Sequence, residues 1–232
     1  MADRTEVRRW IQRWEGAKPS KTGIWAVRRR LAEAMRLVIE RLTTTDAPEA
    51  ELRVAAERLE QYADHLGGQP RHRRYEGYAE SATAGSEPGG GHFDWSPLIG
   101  RANPLAPPIV MRSDDEGRVH GRVVFGTAYE GPPGCVHGGF VAAAFDEVLG
   151  YVQSLTGNPG FTGTLTTRYR TPTPLHEELR FEAWVDRVEG RKIFASGTLH
   201  AGDRLCAEAD AIFISIDPTR YRHLITNRHL KM

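Results

Sequence analysis

Hydrophobic positions along the chain follow two different periods, and the change between them divides the sequence. Between Ile24 and Leu42, apolar residues at Trp25, Val27, Leu31, Met35, Val38, Ile39 and Leu42 recur at steps of three and four, which predicts an amphipathic helix. Asp46, Pro48 and Glu49 then supply a start signal for a second helix. Its stripe of Leu52, Ala55, Ala56, Leu59, Tyr62, Ala63 and Leu66 ends at Gly67-Gly68. Each helix offers one apolar stripe, so the two are expected to pack on each other and on the downstream domain.

From about Tyr75 to Trp95 the texture shifts to Gly, Ser, Glu and Pro, the signature of a connector. The prolines between Ser96 and Pro108 exclude a helix interior and predict an extended lead-in segment. Alternation of Val119, Gly121 and Val123 with His120 and Arg122 predicts a strand over about 117–125. After the turn Gly131-Pro132-Pro133-Gly134, a helix is predicted from Gly138 to Leu155; Phe140 to Phe145 is apolar all round, which suits a buried helix. Beyond Gly157-Asn158-Pro159-Gly160 the period becomes two. Segments 163–170, 179–188, 191–200 and 205–216 read as strands, with turns at Glu189-Gly190 and Ala201-Gly202-Asp203, and so predict an antiparallel meander. The expected fold class is α+β, a sheet wrapped around one central helix, preceded by a helical extension. The expected division is 1–75 for the extension, 76–95 for the linker, 96–218 for the main domain and 219–232 for a tail.

Composition narrows the class. With 40% hydrophobic and 26% charged residues among 232, the chain is long enough for one sizeable core and has the mixture of a globular protein. No apolar run approaches the roughly 18 residues that span a bilayer, and the first ten residues contain no signal-like apolar stretch, so a cytoplasmic protein without membrane partners is expected. Cys135 and Cys206 are too few for a disulfide framework and do not form a C-x-x-C spacing. Residues 1–80 carry 16 Lys and Arg against 13 Asp and Glu, and residues 81–232 carry 15 against 17, an asymmetry too mild to imply nucleic acid as a partner.

Candidate chemistry lies where the glycine-rich run Gly131 to Gly139 enters the apolar helix. Backbone N–H groups at a helix start are unpaired and lie along a favourable dipole, so they suit an oxyanion; small residues there admit a substrate carbonyl. The same glycines would equally let loop and helix pack closely. Asp146 and Glu147 interrupt the apolar helix, and charge in that setting is costly unless paired or functional, which makes Asp146 the first candidate for acid–base or nucleophilic work and Glu147 the second. Gly138 and Asp146 are eight residues apart, about 12 Å along one helix. They cannot both reach one carbonyl, so a site using both must combine two chains of a homodimer.

The ordered set His137-Gly138-Gly139, Asp146-Glu147, Thr164 to Leu175 and Val188-Glu189-Gly190-Arg191-Lys192 resembles the hotdog acyl-CoA thioesterases of the phenylacetate-pathway (PaaI-like) type and their mammalian relatives, over about 96–218. The resemblance implies the hotdog fold and hydrolysis of an acyl-CoA thioester in a homodimer or dimer of dimers. Gly138 then corresponds to the backbone donor to the thioester oxygen, His137 to the histidine that shapes the loop, Asp146 to the carboxylate acting as base or nucleophile, and Thr162 to a hydroxyl residue that orients water. Gly139 and Glu147 adjoin the substrate in this reading, and Arg191 and Lys192 are contacts to coenzyme A phosphates. No cofactor is implied beyond the coenzyme A of the substrate. No metal is expected, because His92, His120 and His137 share no ligand spacing. The region before Tyr75 has no counterpart in the minimal family domain. Rival readings are a Cys135–His137 nucleophile, a hotdog hydratase, whose aspartate-and-histidine helix motif is absent, and a non-catalytic acyl-CoA sensor.

Overall fold

The computed structural model describes residues 22–70, 93–158 and 160–215. The linker over 76–92, the start of the extension and the tail over 219–232 lie outside the described residues. Helix α1 spans Gly23–Thr44 and α2 spans Glu49–Gly67. Strands β1 (Val110–Ser113) and β2 (Val119–Val123) come next, then a 3-10 turn at Thr127–Tyr129 and helix α3 at Gly138–Ser154. Strands β3 (Gly160–Tyr169), β4 (Leu179–Glu189), β5 (Lys192–Ala201) and β6 (Arg204–Ser215) complete the domain.

All strand pairs are antiparallel, in the order β1-β2-β4-β5-β6-β3. The meander of β4, β5 and β6 agrees with the two-residue period, and β3 returns to the far edge beside β6. Strand β1 follows the segment expected to be extended and was not itself anticipated; its four residues, too few to show an alternation, become a strand by pairing with β2. The sheet curls around α3, whose Val141, Ala144, Phe145, Val148, Leu149 and Val152 are buried. Phe145 meets Phe181 edge-on at 5.1 Å between ring centres. Close approach of helix to sheet relies on Gly197: a Cβ there would stand 2.9 Å from the Glu182 carbonyl and 3.4 Å from Leu149.

The two extension helices behave differently. Helix α1 docks on the domain through its Trp25, Arg29, Ala32, Arg36 and Glu40 side. The Arg29 guanidinium pairs with the buried Asp94 at 2.5 Å, and Trp25 packs edge-on against Trp95 at 5.9 Å. Arg36 donates to the carbonyls of Asn103 and Arg101. Residues 93–95, at the end of the polar connector, therefore anchor the helix, with Phe93 and Asp94 buried. Helix α2 has no buried residue, so the expected packing of its stripe on α1 does not occur within the chain. The connection has extended backbone at Thr45 and Pro48 and holds the second helix away from the first. No helix among the described residues is long and apolar enough to cross a membrane.

Candidate active site

The glycine loop is fixed before it reaches α3. Glu130 bridges Val136, Cys135 bridges Pro174, and the His137 N–H donates to the Tyr129 carbonyl at 2.8 Å. His137 caps α3, and its Nδ1 accepts the Gly139 N–H at 3.0 Å. Tyr169, at the end of β3, donates its hydroxyl to the Gly138 carbonyl at 2.8 Å. The peptide between Gly138 and Gly139 is thus held at both ends. The Gly138 N–H, one peptide earlier, has no acceptor among the described residues, while the Gly139 N–H is already occupied. At Gly138 a Cβ would sit 3.2 to 3.4 Å from the Tyr169 ring and hydroxyl, tighter than ordinary contact, so glycine is what allows the tyrosine to close down on the helix start.

Behind this loop stands the 3-10 turn. Its first N–H, on Thr127, donates to Glu40 of α1 at 3.1 Å, and its last residue, Tyr129, receives the His137 N–H. Burial works against ionising Glu40, but donors from Thr127 and Ala128 together with the charge of His176 hold its carboxyl below the usual range. Tyr129 donates to the Leu105 carbonyl and packs edge-on against Phe125 and Phe140; burial pushes its phenol up to about 12. The extension thereby buttresses the loop that carries the free donor.

Two turns along α3, Asp146 and Glu147 face different surroundings, because adjacent helical residues point about 100° apart. Asp146 is half-buried and looks toward β3, where the Thr162 hydroxyl donates to its Oδ1 at 2.7 Å. The pairing of β3 with β6 shifts register between Thr162 and Thr164, and such a bulge re-aims the side chains beside it. Glu147 turns toward the segment at Ser96. Desolvation, reinforced by the charge of Asp146 and opposed by a hydrogen bond from Ser96, raises its carboxyl to about 7.

Strand β3 runs past α3 in the opposite sense, so Tyr169 meets the Gly138 end and Thr162 meets the Asp146 end. Arg191 and Lys192 are exposed at the β4–β5 turn. Lys192 pairs with Ile214, which pairs with Phe161, so both cations share the end of the sheet with Asp146 and not with Gly138. The structure therefore brings Asp146 together with Thr162 and His137 with Gly138 and Gly139, and keeps these two groups apart. Cys135 donates weakly to the Pro133 carbonyl, and no hydrogen bond joins it to His137. Tyr169 and Glu40 were not singled out from sequence. Their roles depend on contacts 31 and 87 residues away, which no local spacing encodes. Among the described residues no three His, Cys, Asp or Glu side chains gather as a metal site.

Comparison with known proteins places this geometry. The family model described as Thioesterase superfamily matches residues 133–208, which runs from within the glycine loop into the first half of β6. A crystal structure of a thioesterase superfamily protein superimposes with a TM-score of 0.71 at 34% identity, covering 85% of this chain and 97% of that one. The chain belongs to the thioesterase superfamily. Its fold is the hotdog, and the superposition is longer than residues 96–232, so it takes in part of the helical extension. Acyl-coenzyme A thioesterase THEM4 of Bos taurus is 32% identical over 114 residues, 48% of this chain and 47% of the relative. Its counterpart in Xenopus laevis is 36% identical over 95 residues, 40% of this chain and 43% of the relative. The chain thus spans about half the length of the curated relatives it matches.

Proposed function

We propose that this thioesterase-superfamily chain hydrolyses an acyl-CoA thioester, R–CO–S–CoA and water giving a carboxylic acid and the free thiol. The observation that carries the reading is the occurrence, on one helix, of a Gly138 N–H with no acceptor among the described residues and a hydroxyl-held carboxylate, Asp146. The helix-end donor stabilises the oxygen of the tetrahedral intermediate, and Asp146 attacks the carbonyl carbon or takes a proton from the attacking water. Thr162 keeps one carboxylate oxygen engaged and the other available. The relatives named acyl-coenzyme A thioesterase favour this substrate class.

The distance between the two groups is resolved by a homodimer. Strand β3 is an edge strand whose outer side pairs with no described strand. A long unpaired edge is a template for another strand. If two copies of β3 pair antiparallel, the Thr162 and Asp146 end of one meets the Tyr169 and Gly138 end of the other, and each of the two sites takes its donor from one chain and its carboxylate from the other. Arg191 and Lys192 then flank the carboxylate side and are suited to the phosphates of coenzyme A.

The test is coenzyme A release across an acyl-chain series, with Asp146→Asn beside the wild type. Lost turnover with retained binding supports the reading; equal turnover in both removes Asp146 from the chemistry. Substrate binding without turnover in the wild type favours an acyl-CoA sensor. Inactive Gly138 and Asp146 variants, mixed under subunit exchange, are expected to regain one intact site per heterodimer, and confirmed heterodimers without activity overturn the shared site.

A further inference from the structure

Helix α1 is used on one side only. Its docked residues Trp25, Arg29, Ala32, Arg36 and Glu40 occupy one face, and at about 100° per residue the stripe Ile24, Val27, Leu31, Ala34, Val38 and Leu42 lies nearly opposite. That stripe is solvent-exposed, with Ile24, Val27 and Leu42 each 60% or more open. The residues recur at steps of three and four, the spacing of a helix seam. Helix α2 carries a matching exposed seam of Leu52, Ala55, Leu59, Tyr62 and Leu66. At 1.5 Å per residue the two seams are about 27 Å and about 21 Å long, so the second fits within the first.

Charge decides what covers what. With Arg29, Arg36 and Glu40 engaged on the domain, α1 keeps Arg28, Arg30 and Arg41 against Glu33, whereas α2 contains five carboxylates against two arginines. Pairing α1 with α1 or α2 with α2 would bring like charges together, while α1 with α2 is complementary. Exposed Arg30 and Arg41 flank the α1 seam, and exposed Glu51 and Glu60 flank that of α2. Within one chain the pairing is not made, because the extended connection at Thr45 and Pro48 holds α2 off.

We infer that α2 of one protomer lies in the exposed seam of α1 of a second copy, so that the helical extensions form a reciprocal four-helix contact. The partner is this same chain, and the contact is separate from the β3 edge. It does not rest on the proposed activity. Since α1 also supports the 3-10 turn through Glu40, the exchanged helix braces the face of the domain beside the glycine loop.

The experiment uses the full chain with a photoreactive benzoylphenylalanine in place of Tyr62. Irradiation is expected to yield a covalent species of twice the chain mass on a denaturing gel, with the cross-link mapping to residues 24–42. Arg30→Glu with Arg41→Glu is expected to reduce that yield about tenfold, and adding Glu51→Lys and Glu60→Lys to restore it. Rescue by the fourfold variant separates lost complementarity from misfolding. A cross-link confined to single chains, whether to α1 or to residues 1–21, overturns the exchange. So does one to α2 or the hotdog body of the partner, an absence of cross-linking, or a yield indifferent to the charge reversals. Coenzyme A release is not read, so failure here leaves the thioesterase reading where it stood.

Discussion

The start and the middle of α3 are held differently, with help from the same strand. At its start His137 and Tyr169 take up the two polar atoms of one peptide, and the N–H of the peptide before it has no acceptor among the described residues. Two turns later Thr162 steadies the half-buried carboxylate of Asp146. The first place needs glycine, since a Cβ would press on the tyrosine; the second sets an acid, beside Glu147, in an otherwise apolar helix.

Breaking the carboxylate end has the largest expected effect. Asp146→Asn keeps the shape and the Thr162 contact but removes base and nucleophile, and kcat is expected to fall about 10³-fold in coenzyme A release. At the donor end, Gly138→Ala forces Tyr169 away and crowds the oxyanion position; a loss of about 10²-fold in kcat with little change in KM is expected. The supporting hydroxyls sharpen the contrast. Thr162→Ala is expected to cost about tenfold with rescue by serine, and Tyr169→Phe several-fold, each carrying a hydrogen bond of roughly 1 kcal/mol.

The two adjacent acids differ in a way that pH exposes. Glu147 is raised to about 7 by burial and by Asp146, so the fold favours its protonated form. Its contribution to stability is complete below about pH 4.5, declines as pH rises toward 7, and is a fixed penalty above that. Glu147→Gln is therefore expected to leave thermal stability unchanged near pH 4 and to raise it at pH 8, by on the order of 2 kcal/mol or about 5 °C. A variant equally stabilised at both pH values would show that Glu147 is not held protonated.

Elements with a strong period were legible from residues alone. The apolar stretch from Phe140 predicted the buried α3, and alternation predicted β4, β5 and β6 to within a residue or two of their ends. Strand β1 was not, because four residues carry too little pattern. The glycine loop and Asp146 stood out as departures from an otherwise regular helix. Thr162 was reached only through the family resemblance and Tyr169 not at all, because both lie on β3, where the register of the sheet decides which side chain meets α3.

What the sequence determined by itself was periodicity and its interruptions, hence the helix, the meander, the glycine start and the misplaced acids, along with a helix rise that kept Gly138 and Asp146 about 12 Å apart. Only the tertiary structure decided which N–H has no acceptor among the described residues, that Asp146 faces β3 while Glu147 faces Ser96, and that α1 docks while α2 stands away. The physical reason is range. Dihedral preference and amphipathicity act between neighbours, whereas hydrogen-bond satisfaction and burial are settled among residues that meet only when the chain is folded.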